Sequence, residues 1–297
     1  MQPKHSRFAC VRPTLLASAL LLGASLLQAE TLYGLGTGNF LFQFDSLTPG
    51  TVTTPVAVTG LGGSTLLGID VRPADGLIYG IGTGDRVFSI QPSTGAATDV
   101  TSASFLTSLG SGTQFGIDFN PVVNRLRIVS DADTNLRIFG TGMSTDSSLA
   151  FQSGDSNFGI NPTVTAVAYT NPDNDPATGT TLFGIDTALN VLVQHNTTPG
   201  FQNLQTIGAL GVDIADVSGF DISLSGTAYG AFHNGSASVL YTIDLLTGST
   251  TLVGSIGSEI QIRDLAVAVP EPQTYAAMAG ASLVAFAVWR RRGSKSA

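Results

Sequence analysis

Cysteine and lysine are missing from nearly all of this 297-residue chain: its one cysteine is Cys10 and its two lysines are Lys4 and Lys295. Between Glu30 and Gln273 the basic side chains are Arg72, Arg86, Arg125, Arg127, Arg137 and Arg263, with His195 and His233. All 21 acidic residues lie in the same stretch, which leaves it with a charge near −15. No disulfide can staple this region, but roughly 240 residues are enough to bury a core of their own. A thiol nucleophile is excluded. Binding to a phosphate backbone needs clustered Lys and Arg, which argues against nucleic acid as a partner. There is no Gly-x-Ser-x-Gly elbow, and the two histidines lack metal-ligand spacing. Sustained 3.6-residue periodicity is absent too, and with 35 glycines this rules against a helical domain.

What the region does have is a repeat. Leu32-Tyr33-Gly34-Leu35, Ile78-Tyr79-Gly80-Ile81, Leu182-Phe183-Gly184-Ile185 and Ala228-Tyr229-Gly230-Ala231 read alike, and Leu126-Arg127-Ile128-Val129 fills the same slot without the glycine. A short strand precedes most of these: Gly68-Ile69-Asp70-Val71, Gly116-Ile117-Asp118-Phe119, Ala166-Val167-Ala168-Tyr169 and Gly219-Phe220-Asp221-Ile222. A fifth copy, Arg263-Asp264-Leu265-Ala266-Val267, has no blade after it, and the first Tyr-Gly strand has no such strand before it. Positions 70, 118, 168, 221 and 265 are 48, 50, 53 and 44 residues apart, which suits four-stranded propeller blades. The expectation is an all-β propeller of five four-stranded blades over residues 30–269, shut by pairing the last strand with the first blade. Closure of this kind removes exposed sheet edges.

The order Asn124-Arg125-Leu126-Arg127, Asp131-Ala132-Asp133-Thr134-Asn135-Leu136-Arg137-Ile138, then Ala166-Val167-Ala168-Tyr169-Thr170-Asn171 resembles a family of exported bacterial propeller-like proteins of unknown function. The likeness runs from about residue 31 to 269. It implies the fold and carries no activity or catalytic residue.

Candidate chemistry sits at three places. Asp70, Asp118 and Asp221 recur at one position of the inner strand, as a ring of carboxylates near the channel for a cation or sugar hydroxyls, or as acceptors for backbone N–H groups of a neighbouring blade. Asp131, Asp133 and Asn135 have the alternating oxygens of a calcium loop. Leu136 and Gly142 stand where an EF-hand needs glycine and glutamate, so the alternatives are a different calcium geometry or an Asp/Asn turn. Asn171, Asp173 and Asp175 form a second such cluster. Arg125, Arg127 and Arg137 either grip an anion or pair with the abundant Asp. Gly34-Leu35-Gly36-Thr37-Gly38 and Gly80-Ile81-Gly82-Thr83-Gly84 lack the final glycine spacing of a nucleotide loop and open no helix, so they read as hairpins.

Both ends look like addresses. Residues 1–29 combine Lys4, Arg7 and Arg12 with an apolar run at 15–27 and a cleavage point before Glu30, which is the pattern of a secretory signal peptide. At the other end Pro270-Glu271-Pro272 precedes an apolar stretch, 274–289, and then Arg290, Arg291 and Arg292. The 16 residues of this stretch span about 24 Å as a helix, short of the ~30 Å hydrocarbon core, with Trp289 and the arginines as interfacial anchors. The three parts in this order resemble the PEP-CTERM sorting signal of Gram-negative bacteria. That resemblance implies cutting by an exosortase and release from the inner membrane to the cell surface or extracellular matrix. The expected function is a non-catalytic propeller binding extracellular polysaccharide or a surface protein. Two alternatives remain: a lectin-like module requiring Ca2+, and a propeller hydrolase or lactonase with asymmetric carboxylates such as Asp118 with Asp155 or Asp216.

Overall fold

In the computed structural model the described residues are 28–101, 108–110, 112–140, 142–197, 200–214, 218–234, 237–258 and 260–269. The signal segment up to residue 27, Asp216 and the whole tail lie outside them, including Pro270, Glu271, Pro272, Arg290, Arg291 and Arg292. Among the described residues there is no helix; twenty-one strands form five sheets.

Each sheet is a blade. Blade 1 joins β1 (Thr31–Gly36), β2 (Phe40–Asp45) and β3 (Val56–Ala57) to the last strand, β21 (Ile262–Val267). Blade 2 is β4 (Leu66–Val71), β5 (Ile78–Gly82), β6 (Arg86–Ile90) and β7 (Ala97–Asp99). Blade 3 is β8 (Phe115–Asn120), β9 (Arg125–Ser130), β10 (Asn135–Phe139) and β11 (Gly142–Thr145). Blade 4 has β13 (Val164–Tyr169), β14 (Leu182–Asp186), β15 (Val191–His195) and β16 (Asn203–Ala209). Blade 5 is β17 (Ser218–Ile222), β18 (Ala228–Asn234), β19 (Ala237–Ile243) and β20 (Thr250–Ser255).

The five blades and their closure match the expectation, with two corrections. Blade 4 carries a fifth strand, β12 (Ala150–Phe151), which pairs in parallel with β16 at the outer edge. The last strand is also registered one residue further on than the spacing suggested. Ala266 faces Tyr33, as Asp70 faces Tyr79 and Asp221 faces Tyr229, so Ala266 and not Leu265 holds the repeated position. The register shift between Leu35 and Gly36 is the counterpart of those at Leu66/Gly68 in blade 2 and Val164/Ala166 in blade 4, which fixes the same alignment.

The inner strands β21, β4, β8, β13 and β17 neighbour one another around the ring. Their glycines allow this approach: a side-chain carbon at Gly116 would overlap the backbone of Ala166, and one at Gly219 the backbone of Leu265. Buried apolar side chains fall into five clusters, one at each junction between blades. The glycine-rich segments are hairpins as expected, with left-handed backbone at Gly38, Asn39, Gly84 and Asp85.

Candidate functional site

The inner strands bring Asp70, Asp118 and Asp221 together at the axis. All three are buried, and one oxygen from each lies within 4.8 Å of the others. Asp70 accepts from its neighbour Val71 N at 2.6 Å and from Phe119 N of blade 3 at 2.7 Å. Asp118 accepts from Tyr169 N of blade 4 at 3.2 Å. Asp221 accepts from Ile222 N at 2.6 Å and from Val267 N of blade 1 at 2.5 Å. A fourth carboxylate, which the sequence did not single out, completes the pattern. Asp264 accepts from Leu265 N at 2.9 Å and from Ile69 N of blade 2 at 2.8 Å, taking over where Ala266 has no carboxylate. The signal for it was its place in the fifth copy, one residue before Leu265. Each aspartate therefore clasps its own blade to the next.

These carboxyls repel one another and have left water. Burial, then the charge of Asp221, raises the pKa of Asp70 well above the ordinary carboxylate value. Burial and then Asp70 do the same to Asp118. Burial pushes Asp221 up to about 7, against the amides of Val267 and Ile222, which favour its charged form. Asp264 is likewise raised, by burial first. The three clustered carboxyls could share a proton or hold a cation. The cavity at this end of the channel is about 10 Å³, room for about one water and not for an organic substrate.

The other predicted acidic sites do not assemble. Asp131 accepts from Thr113 N at 2.8 Å and Thr113 Oγ1 at 2.6 Å. Asp133 adopts a left-handed conformation and accepts from Asn161 Nδ2 at 3.1 Å. Asn135 gives its oxygen to Arg127 Nη1 at 2.6 Å. The three side chains meet three different partners, Thr113, Asn161 and Arg127. Asp173 and Asp175 cap the backbone N–H groups of Asp175 and Ala177, each at 2.9 Å. Asp155 is tied to Thr206 on β16 at the outer part of blade 4, away from Asp118 on the inner strand. His195 is buried with its pKa pushed down to about 4, by burial first, and its Nδ1 lies 2.9 Å from Phe201 O.

The departure from symmetry lies in blade 3. Across the blades, the residue facing the repeated inner position is Tyr33, Tyr79, Phe183 or Tyr229, but in blade 3 it is Arg127, opposite Asp118. One strand further out, Arg137 faces Arg127. Tyr79 packs edge-on against Phe119 of the next blade, with ring centroids 5.1 Å apart. At the equivalent place Arg127 meets Tyr169, Nε to Oη at 3.5 Å. Arg127 is 1% exposed, and its Nη1 donates to Asn135 Oδ1, Asp146 Oδ2 (2.8 Å) and Gly200 O (3.2 Å). Arg137 binds the same Asp146 through Nε and Nη2 at 2.7 and 2.6 Å. One carboxylate is thus shared by two guanidinium groups, and the cluster stays positive. Arg127 also lies over the ring of Phe201, 5.3 Å from its centroid. Burial raises the pKa of the Tyr169 phenol, with the charge of Arg127 opposing. These groups line an open cleft of about 320 Å³ between blades 3 and 4, together with Asn120, Val122, Val123, Arg125, Gly179 and Thr180. The sequence signal for it was the loss of both aromatic and glycine from Leu126-Arg127-Ile128-Val129.

Fold and site together define a five-bladed propeller, closed by its C-terminal strand, with an arginine-lined cleft between blades 3 and 4. The chain belongs to the family described as a domain of unknown function (DUF4394), whose model matches residues 40–266. No curated protein matches it in sequence. Among solved structures it is similar to a protein of unknown function from Bacteroides thetaiotaomicron VPI-5482, at 14% identity and a TM-score of 0.48, over 80% of this chain and 64% of that one. It is also similar to a protein from Lactobacillus plantarum, at 14% identity and a TM-score of 0.41, over 80% of this chain and 71% of that one. A third is regucalcin, a calcium-binding protein from Agrobacterium tumefaciens, at 13% identity and a TM-score of 0.40, over 74% of this chain and 67% of that one. The chain thus spans less than two thirds of the first of these, and likenesses at this level carry no inference about activity.

Proposed function

We propose that this protein is an exported, non-catalytic binding propeller that works at the cell surface or in the extracellular matrix through the cleft between blades 3 and 4. The observation that carries the reading is Arg127 in a slot that is aromatic in the other blades. A repeated position serves the fold, whereas a broken one with an open cleft beside it serves a ligand. The cleft lining offers guanidinium, amide, hydroxyl and aromatic groups and no carboxylate pair or thiol, which suits binding rather than bond cleavage. The carboxylates that a hydrolase would use are bonded to backbone amides around a cavity the size of one water.

Export and sorting belong to the same proposal. The basic and apolar start directs secretion; Pro270-Glu271-Pro272, the apolar stretch and Arg290–Arg292 hold the protein in the inner membrane until an exosortase cuts near Glu271. Mass spectrometry of protein recovered outside the cell is expected to find an N-terminus near Glu30 and a C-terminus near Pro270–Pro272. Deleting Arg290–Arg292 is expected to leave it in the membrane fraction. Mature extracellular protein that still carries residues 274–297 contradicts the sorting route. For the cleft, residues 28–269 carry the whole closed ring and should bind matrix polysaccharide without releasing reducing ends.

A further inference from the structure

We propose that the cleft between blades 3 and 4 recognises the carboxylate of an acidic sugar, a hexuronate unit within a polysaccharide. This rests on the reading of the protein as a binding propeller and names the ligand class of that same cleft.

Charge gives the first argument. Three of the six arginines between Glu30 and Gln273 line this cleft, and none of its lining residues is acidic, in a region whose overall charge is near −15. The fold does not require arginine there, since an aromatic side chain fills the corresponding slot of each other blade.

The second argument is preorganisation. Asp146 holds Arg127 by Nη1 and Arg137 by Nε and Nη2. Arg127 Nη2 has no hydrogen-bond partner among the described residues, although the residue is 1% exposed and lines the cleft. Arg137 Nη1 is likewise without a partner among them. Both free donor edges belong to charged guanidinium groups, and an anionic acceptor in the cleft would form charge-assisted bonds with them. Both side chains are already held in place, so little rotamer freedom is lost on binding.

The third argument is shape. About 320 Å³ is near the lower end of small-ligand sites, the scale of one sugar ring rather than a large cofactor. Phe201, half-buried on the lining, supplies an aromatic surface for the C–H side of a pyranose, with Asn120 and Thr180 among the polar residues around it. Among the described residues Phe201 is also the one other than glycine, Asn or Asp with a positive φ, at 53°. Its carbonyl is held against His195 Nδ1 and the preceding Gly200 carbonyl against Arg127 and Asn135. Strained backbone fixed by several bonds is a feature of ligand clamps.

The test is isothermal titration of the full-length protein in detergent and of residues 28–269. The probes are trigalacturonate, its methyl ester, neutral maltotriose and inorganic phosphate. Trigalacturonate is expected to bind, with methyl esterification weakening it about tenfold or more through loss of the charge-assisted bonds. Arg127 is too deeply built in to be the only variant, because its removal strands Asp146. Arg137→Gln leaves Asp146 paired with Arg127 and is expected to weaken trigalacturonate about tenfold with folding retained. Phe201→Gly suits the left-handed backbone, removes the ring and is also expected to weaken it. Arg86→Gln, at the exposed ion pair with Asp99, is expected to change nothing. Binding indifferent to the ester, to Arg137→Gln and to Phe201→Gly overturns the proposal, as does phosphate binding as tightly as trigalacturonate. Maltotriose binding that Phe201→Gly abolishes, without uronate binding, overturns the carboxylate but keeps the cleft as a binding site; no binding of matrix polysaccharide at all overturns both.

Discussion

A chain ended at Gln261 is expected to lose the cooperative folding of the whole domain, although the cut removes a single short strand from the ring. β21 is the inner strand of blade 1, paired from Leu32 with Val267 to Gly36 with Ile262. Ile262, Leu265 and Val267 are buried at 0%, 2% and 4% exposure, in one cluster with Leu32 of the same blade and Tyr229 of blade 5. Burial of three such side chains contributes about 5–9 kcal/mol, comparable with the ~5–15 kcal/mol of total stability typical of a domain. The cut also strips Asp221 of the Val267 amide and Ile69 of the Asp264 carboxylate, and it bares the edge of β1. Thermal unfolding of residues 28–261 beside 28–269, followed by circular dichroism, should show no cooperative transition in the shorter chain. Equal melting temperatures would falsify the closure argument.

Stability is expected to fall as pH rises from about 4 to about 7, opposite to the usual acid lability of proteins. Asp221 titrates at about 7 in the folded protein against an ordinary 3.8, because burial disfavours its charge. The folded state therefore keeps a proton that the unfolded chain has already released. That contribution is complete below the ordinary value and is lost as pH rises through about 7, a change on the order of 4 kcal/mol for this fully buried group. Asp70, Asp118 and Asp264 shift in the same direction. Asp99 and Asp155 shift downward through hydrogen bonding that outweighs their desolvation, but both are near the surface and act only at more acid pH. Calorimetry between pH 4 and 8 should show the melting temperature dropping, and Asp221→Asn, neutral throughout, should make the drop smaller, with Asp70, Asp118 and Asp264 accounting for the remainder. A melting temperature that rises over this window contradicts the assignment.

The blades were legible in the sequence because four of them repeat a Tyr/Phe-Gly strand and Leu126–Val129 fills the same slot in the fifth at a nearly constant interval, and the closure was legible because one inner strand was missing at the start and one left over at the end. The register of that last strand was not. No Tyr/Phe-Gly strand follows Val267 in the sequence to index it, and pairing with β1, more than 200 residues away, decides that Ala266 and not Leu265 holds the repeated position. The role of Asp264 was hidden for the same reason. The two-residue β12 has no pattern of its own and exists only by pairing with β16. At Asp131–Asn135 the alternating oxygens were legible, but their directions are set by left-handed Asp133 and by Arg127, which takes the oxygen of Asn135. Blade 3 showed its broken slot at Arg127 in the sequence. Its meeting with Asp146, Gly200 and Tyr169 depends on tertiary packing that no local pattern encodes.

The most direct measurement of the central claim is a crystal structure of residues 28–269 with trigalacturonate. The account predicts one sugar ring against Phe201 between blades 3 and 4, with its carboxylate on Arg127 Nη2 and Arg137 Nη1, while Asp70, Asp118 and Asp221 keep their bonds to the neighbouring strands. A ligand seated on those aspartates at the axis, or at another blade junction with the arginine cleft empty, would contradict it.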